Sequence, residues 1–105
     1  MRIIVLFNLR DGVDPQAYEA WARGTDIPTV RALPSIAGFE VAAATGLLMS
    51  DAAPPYQYVE IIDVADTDRF GSDVGTDAMQ RIAAEFRQFA DNPLFITTRD
   101  VGQSL

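Results

Sequence analysis

Not one histidine, cysteine or lysine occurs in this chain, and each absence removes a class of chemistry. Without cysteine there are no disulfides, no thiolate nucleophile and no thiolate metal ligand. Without histidine the usual general base and the commonest metal ligand are gone, and so is any Ser-His or Cys-His pair. A carboxylate-only metal site would need an acidic loop of the EF-hand kind, and none is visible. The cofactor and metal expectation is therefore none. All eight basic residues are arginines, against fifteen acids, for a net charge of −7. A chain this acidic is a poor partner for nucleic acid or an anionic membrane. Long hydrophobic runs are missing too. The apolar start, Met1 to Asn8, is far too short to span a bilayer and lacks a small-residue cleavage site. It reads as a first strand, and the expected location is the cytoplasm.

What is present suits one domain over residues 1–105, a length that buries a core without staples. The stretch Pro54 to Val64 organises it. Two prolines stop what precedes, and β-branched and aromatic residues then dominate, which is strand chemistry. Tyr56, Tyr58, Glu60, Ile62 and Val64 point to one face; Gln57, Val59, Ile61 and Asp63 point to the other. Both faces are largely apolar, so both need cover. Glu60 is the odd residue, a carboxylate between Tyr58 and Ile62 that needs a partner or a purpose.

The chain opens with a strand, Arg2 to Leu9, apolar on both faces, with Asn8 near its end. Asp11-Gly12 turns it. Asp14-Pro15 is a strong helix start, an acceptor at N-cap and proline at N1. The helix runs to about Arg23 with Ala17, Tyr18, Trp21 and Ala22 as its apolar stripe, and Gly24 ends it. Thr25-Asp26-Ile27-Pro28 opens a shorter helical piece to Leu33, which places Asp26 at a helix N-terminus, where a carboxylate stays charged. Ile36 to about Thr45 is a strand, Gly46 to Ala53 a loop, and Pro54 to Val64 the next strand.

Asp66 to Gly75 is ambiguous: Asp66 can cap a short helix carrying Phe70, but Gly71 and Gly75 interrupt it. Thr76 or Asp77 caps a last helix, with Asp77 and Gln80 at capping-box spacing and Met79, Ile82, Ala83, Phe86 and Ala90 at helical intervals. Asn92-Pro93 ends that helix, Leu94 to Val101 is the last strand, and Val101 to Leu105 is a tail. The order β-α-β-β-α-β is the ferredoxin-like, α+β arrangement: a four-stranded antiparallel sheet with helices on one face. Two strands apolar on both sides then predict a homodimer that packs sheet against sheet.

A resemblance to a known family emerges from residues spread along this order. They are Asp11-Gly12-Val13-Asp14-Pro15, Tyr18 and Trp21, Thr25-Asp26 with Leu33-Pro34-Ser35, and Thr45-Gly46-Leu47-Leu48. They continue in Pro54 to Ile61, Ala83 to Phe86 and Phe89 to Pro93. Together they resemble the RedY-like, HapK-type family of dimeric α/β-barrel proteins over nearly the whole chain. The resemblance implies bacterial secondary metabolism of the prodigiosin kind and a small aromatic substrate bearing pyrrole or indole. It does not fix the reaction, since related dimeric α/β barrels include cofactor-free monooxygenases, cyclases, isomerases and haem enzymes. Haem held by histidine is ruled out by composition.

Asp26 and Glu60 are the candidate catalytic residues. Each has a plainer alternative: a helix cap for Asp26, and for Glu60 an ion pair with an arginine such as Arg99. Asn8, Trp21, Tyr58 and Phe86 are the candidate substrate contacts, against strand-end, core, core and core roles in turn. The expected function is cofactor-independent cyclisation, condensation or isomerisation driven by a carboxylate whose proton affinity burial raises. Non-catalytic binding of a biosynthetic intermediate and cofactor-free oxygenation are the alternatives.

Overall fold

The computed structural model describes residues 1–102, so the expected tail lies, from Gln103 onward, outside the described residues. Four strands form one antiparallel sheet in the order β2-β3-β1-β4, with β1 Arg2–Leu9, β2 Ile36–Ala43, β3 Tyr58–Val64 and β4 Ala90–Thr97. The helices α1 Pro15–Trp21, α2 Ile27–Arg31, α3 Thr67–Val74 and α4 Asp77–Phe89 complete the ferredoxin-like order.

Strand alternation decides which residues meet the helices. Ile3, Val5, Phe7 and Leu9 of β1 are buried, as are Tyr58, Glu60 and Val64 of β3. Phe7 is the centre of this core: it stacks on Tyr58 at 5.4 Å between ring centroids and meets Tyr18 and Phe86 edge-on at 5.5 and 4.9 Å. The opposite face carries Ile4 and Leu6 of β1, Val59 and Ile61 of β3, and Leu94 and Ile96 of β4, paired side by side in the ladder. Leu94 and Ile96 are exposed and the others half-buried. Among the described residues no helix covers them, and the molecule is a slab of 40 × 38 × 20 Å.

Several boundaries differ from the sequence reading, among them the end of β4, at Thr97 rather than Val101. The helix does not stop at Gly24. It widens into a π-helical segment, Ala22–Asp26, and runs straight into α2, with the Ile27 N–H donating to the Ala22 carbonyl. Pro28 supplies the physical reason. It has no N–H, and its ring would clash with the carbonyl four residues back in an ordinary α-helix; a wider turn relieves both problems. Strand β3 begins at Tyr58 rather than Pro54, because prolines cannot join a ladder. Side chains hold the segment before it: Asn8 donates to the Pro55 carbonyl at 3.2 Å and accepts from the Gln57 N–H at 3.0 Å. The last helix ends at Phe89, and β4 starts at once, ahead of Asn92-Pro93, because Ala90 is already extended and pairs with Leu9.

The stretch left ambiguous, Asp66 to Gly75, is helical. Asp66 caps α3 by accepting from the Arg69 N–H at 3.1 Å. Of the two expected caps, Thr76 is the one that caps α4, its hydroxyl accepting from the Met79 N–H.

Candidate functional site

Between the helix face of the sheet and α2, α3 and α4 lies a cavity of about 370 Å³. That is room for a small ligand. Its walls are apolar, built chiefly from Val30, Phe39, Phe70, Ile82, Phe86 and Phe95. Two carboxylic acids interrupt them, Asp26 and Glu60. Each is only 4 % exposed.

The elements that aim these acids are unlike. Glu60 sits mid-strand in β3, paired across the ladder with Val5 on one side and Val41 on the other. Strand alternation alone turns it toward the helices. Asp26 is the last residue of the π-helical segment and caps nothing: no side-chain capping bond forms there and its backbone is helical. The extra residue in that wide turn rotates its side chain inward. Such π turns recur at functional sites.

Neither acid has a cation. Among the described residues the side-chain ion pairs are Arg2 with Asp63 at 2.8 Å and Arg23 with Glu19 at 3.2 Å, so the alternative of an ion pair for Glu60 has no support. The Glu60 Oε2 atom is buried without a hydrogen-bond partner. Burial pushes Asp26 up to about 7. Burial first, and the nearby Asp26 charge second, push Glu60 up to about 8, while the Tyr18 hydroxyl acts weakly the other way. Once Asp26 has lost its proton, its charge holds the proton on Glu60, as in any close carboxylate pair. At neutral pH the pair therefore holds a proton it can give and a site that can take one.

The other expected contacts divide. Phe86 lines the cavity. Trp21 does not; it lies behind Phe86, with ring centroids 6.4 Å apart, and its indole N–H donates to Glu85 Oε1 at 2.8 Å. Tyr58 shares a face with Glu60 but lies over Phe7, and its hydroxyl donates to Glu19 Oε2 at 2.8 Å. Burial, and then Glu19, push that phenol up to about 12. Asn8 is on the opposite face of the sheet, holding the strap before β3. The structure thus brings Asp26, Glu60 and Phe86 together and leaves Asn8, Trp21 and Tyr58 outside the cavity. One residue behind the site was read from the sequence as part of a helix stripe and of the family resemblance, with no role at the site. Tyr18 is fully buried, and its hydroxyl, beside Glu60, has no hydrogen-bond partner. A stripe of apolar positions says nothing about where a hydroxyl ends, and the resemblance gave Tyr18 no role beside Glu60.

The chain matches the family described as REDY-like protein HapK over residues 1–101. It belongs to that HapK family. The crystal structure of HapK from Hahella chejuensis is similar at 29% sequence identity and a TM-score of 0.71, covering 100% of this chain and 99% of that one. A dimeric ferredoxin-like protein of unknown function from Thermobifida fusca shares the fold at 22% identity and a TM-score of 0.70, over 90% of this chain and 85% of the other. So does SnoaB, a cofactor-independent oxygenase from Streptomyces nogalater, at 15% identity and a TM-score of 0.70, over 98% and 96%. No curated protein matches. HapK-family membership accounts for the spread of the resembling motifs along the chain, since the match covers almost all of it.

Proposed function

We propose that this member of the HapK family is a cofactor-independent enzyme of bacterial secondary metabolism. It binds a small planar aromatic molecule in the cavity and moves a proton on it with the Asp26–Glu60 pair, driving a cyclisation, condensation or isomerisation. One observation carries the reading: two acids without a cation, buried in an otherwise apolar cavity, with proton affinities raised into the neutral range. Acids placed for structure alone are normally paired or solvated. A general base works best near the operating pH, and without histidine burial is the remaining way to reach it. Phe86 serves as a substrate wall, Trp21 holds Phe86 from behind, and family membership supports a pyrrole or indole ring of the prodigiosin kind as the substrate. The enzyme acts in the cytoplasm.

Binding is testable without knowing the natural substrate. Saturation with indole or a bipyrrole at about 100 times Kd should stabilise the fold by roughly 2.7 kcal/mol. For a chain of this size that is a melting-temperature rise on the order of 10 °C. Ala83→Trp, which fills the cavity from α4, should abolish the rise. A melting temperature unmoved by any planar aromatic contradicts the reading. The fold shared with SnoaB supports a second reading, oxygenation of an electron-rich aromatic without a cofactor. Uptake of dissolved oxygen during turnover would select it, because cyclisation and isomerisation consume none.

The same proposal includes a homodimer. The uncovered face of Ile4, Leu6, Val59, Ile61, Leu94 and Ile96 is broad and apolar, and dimeric ferredoxin-like relatives support sheet-on-sheet association. Light scattering should give a mass near twice 11.5 kDa. Ile61→Arg, which sets a charge in the middle of that face, should return the mass to that of one chain. A stable monomer at micromolar concentration would overturn this part of the proposal.

A further inference from the structure

The cavity is closed at one end and open at the other. Asp26 and Glu60 are buried. Val74, Phe95 and Thr97 also line it but are exposed, so it opens along the edge strand β4 and the end of α3. Besides the two acids the lining holds one polar side chain, Thr97, and it stands at that mouth. Phe95, two residues earlier on the same face, meets Phe86 of α4 edge-on at 6.3 Å. Leu94 and Ile96 alternate with this pair on the opposite face, so the proposed sheet-on-sheet dimer leaves the mouth open. The neighbouring Thr98 gives its hydroxyl to the Arg2 carbonyl at 2.6 Å. Among the described residues the Thr97 hydroxyl makes no such bond.

The ladder sets the distance between the two ends. Ile62 and Thr97 both pair with Ile3, and Glu60 lies two residues back from Ile62 on β3. Two strand spacings across and two residues along put the Cα atoms of Glu60 and Thr97 about 12 Å apart. Ile3 and Ile62 floor the space between them. Side chains on one face of a sheet stand roughly parallel. A hydrogen bond of about 3 Å at each end then leaves roughly 6–9 Å between the polar atoms of a ligand. A single ring is too short for that span, and two fused or linked rings fill it. We propose that Thr97 is a specificity-determining residue that selects an elongated two-ring substrate with an oxygen at its outer end. The Thr97 hydroxyl donates to that oxygen, a carbonyl or a ring hydroxyl, while the acid end accepts the substrate's N–H or O–H. This rests on reading the cavity as the substrate site. It adds the length of the substrate, the end that faces out and the group that end carries.

Calorimetric titration of the full chain with three naphthalenes tests this. 2,6-Dihydroxynaphthalene carries oxygens at opposite ends, 2,3-dihydroxynaphthalene carries both at one end, and 2-naphthol carries one. The first should bind roughly 10-fold more tightly than the second, the worth of one added hydrogen bond. The two isomers have the same composition and symmetry, so equal affinities overturn the proposal, and that arm needs no variant. Thr97→Val keeps the branched shape that suits a strand and should erase the preference, while leaving 2-naphthol binding nearly unchanged. Thr97→Ser, which keeps a hydroxyl, and Thr98→Val, which removes the neighbouring one, should both retain it. A preference undiminished in Thr97→Val also overturns the proposal. If 2-naphthol binds but the isomers are bound alike, the selection by Thr97 fails and the cavity reading stands. If none of the three binds, both fall together.

Discussion

Asp26→Asn or Glu60→Gln is expected to lower turnover of a planar aromatic substrate by roughly 10²–10⁴-fold, the usual worth of a positioned proton-transfer group. Each swap keeps the shape of the side chain and removes only its ability to give or take a proton. The two are not expected to multiply, because the acids share one function: each raises the cost of charging the other. The double variant should fall about as far as the worse single one. Affinity for the aromatic ring should change little, since Phe39, Phe70, Phe86 and Phe95 provide most of the cavity wall. Full turnover in the double variant, measured per folded molecule, would leave binding without catalysis as the function.

The same two substitutions should make the protein more stable, which is unusual for variants at buried positions. The sign follows from linkage. Asp26 and Glu60 lose their protons near pH 4 in the unfolded chain but near 7 and 8 when folded. Between those limits the folded state binds more protons than the unfolded one, so stability falls as pH rises. The stability is fully present below about pH 4 and is lost progressively toward the neutral range. Each group accounts for roughly 3–4 kcal/mol by pH 7, at about 1.4 kcal/mol per unit of pH. Removing the charge by Asp26→Asn or Glu60→Gln should recover roughly 2–4 kcal/mol at pH 7 and flatten the pH dependence. Urea melts across the acid-to-neutral range check this. A Glu60→Gln variant that loses stability at neutral pH would mean that Glu60 has a cationic partner after all. Giving up stability at a site in this way is common where function needs a group in an unfavourable place.

Most of the fold was legible because it rests on period and punctuation. Alternation in Ile3, Val5, Phe7 and Leu9 gives a strand in any context, and Asp14-Pro15 starts a helix for reasons local to two residues. Glu60 was legible as well, since a carboxylate in an apolar strand face stands out. Asp26 was chosen but for a different setting. Thr25-Asp26-Ile27-Pro28 has every mark of a helix start, and only the continuity of the backbone through a π turn turns a charged cap into a buried acid near neutrality. Trp21 and Tyr58 show the opposite limit. Their faces were assigned correctly, yet on a given face a ring lies to one side of a cavity or the other according to tertiary neighbours, here Phe86 and Phe7. Asn8 was placed at its strand end, but its partners, Pro55 and Gln57, are separated from it by almost fifty positions of chain, beyond the reach of local reasoning.

The central claim is that two buried carboxyls share the neutral range, and it needs no substrate to test. Carbon-13 NMR of the side-chain carboxyls, with Asp26→Asn and Glu60→Gln as assignments, follows each group through its titration. The structure predicts inflections near 7 for Asp26 and 8 for Glu60, with Glu60 moving down when Asp26 is replaced. If both carboxyls titrate near 4, as they would in water, the pair is solvated and charged at neutral pH, and the acid–base account is wrong.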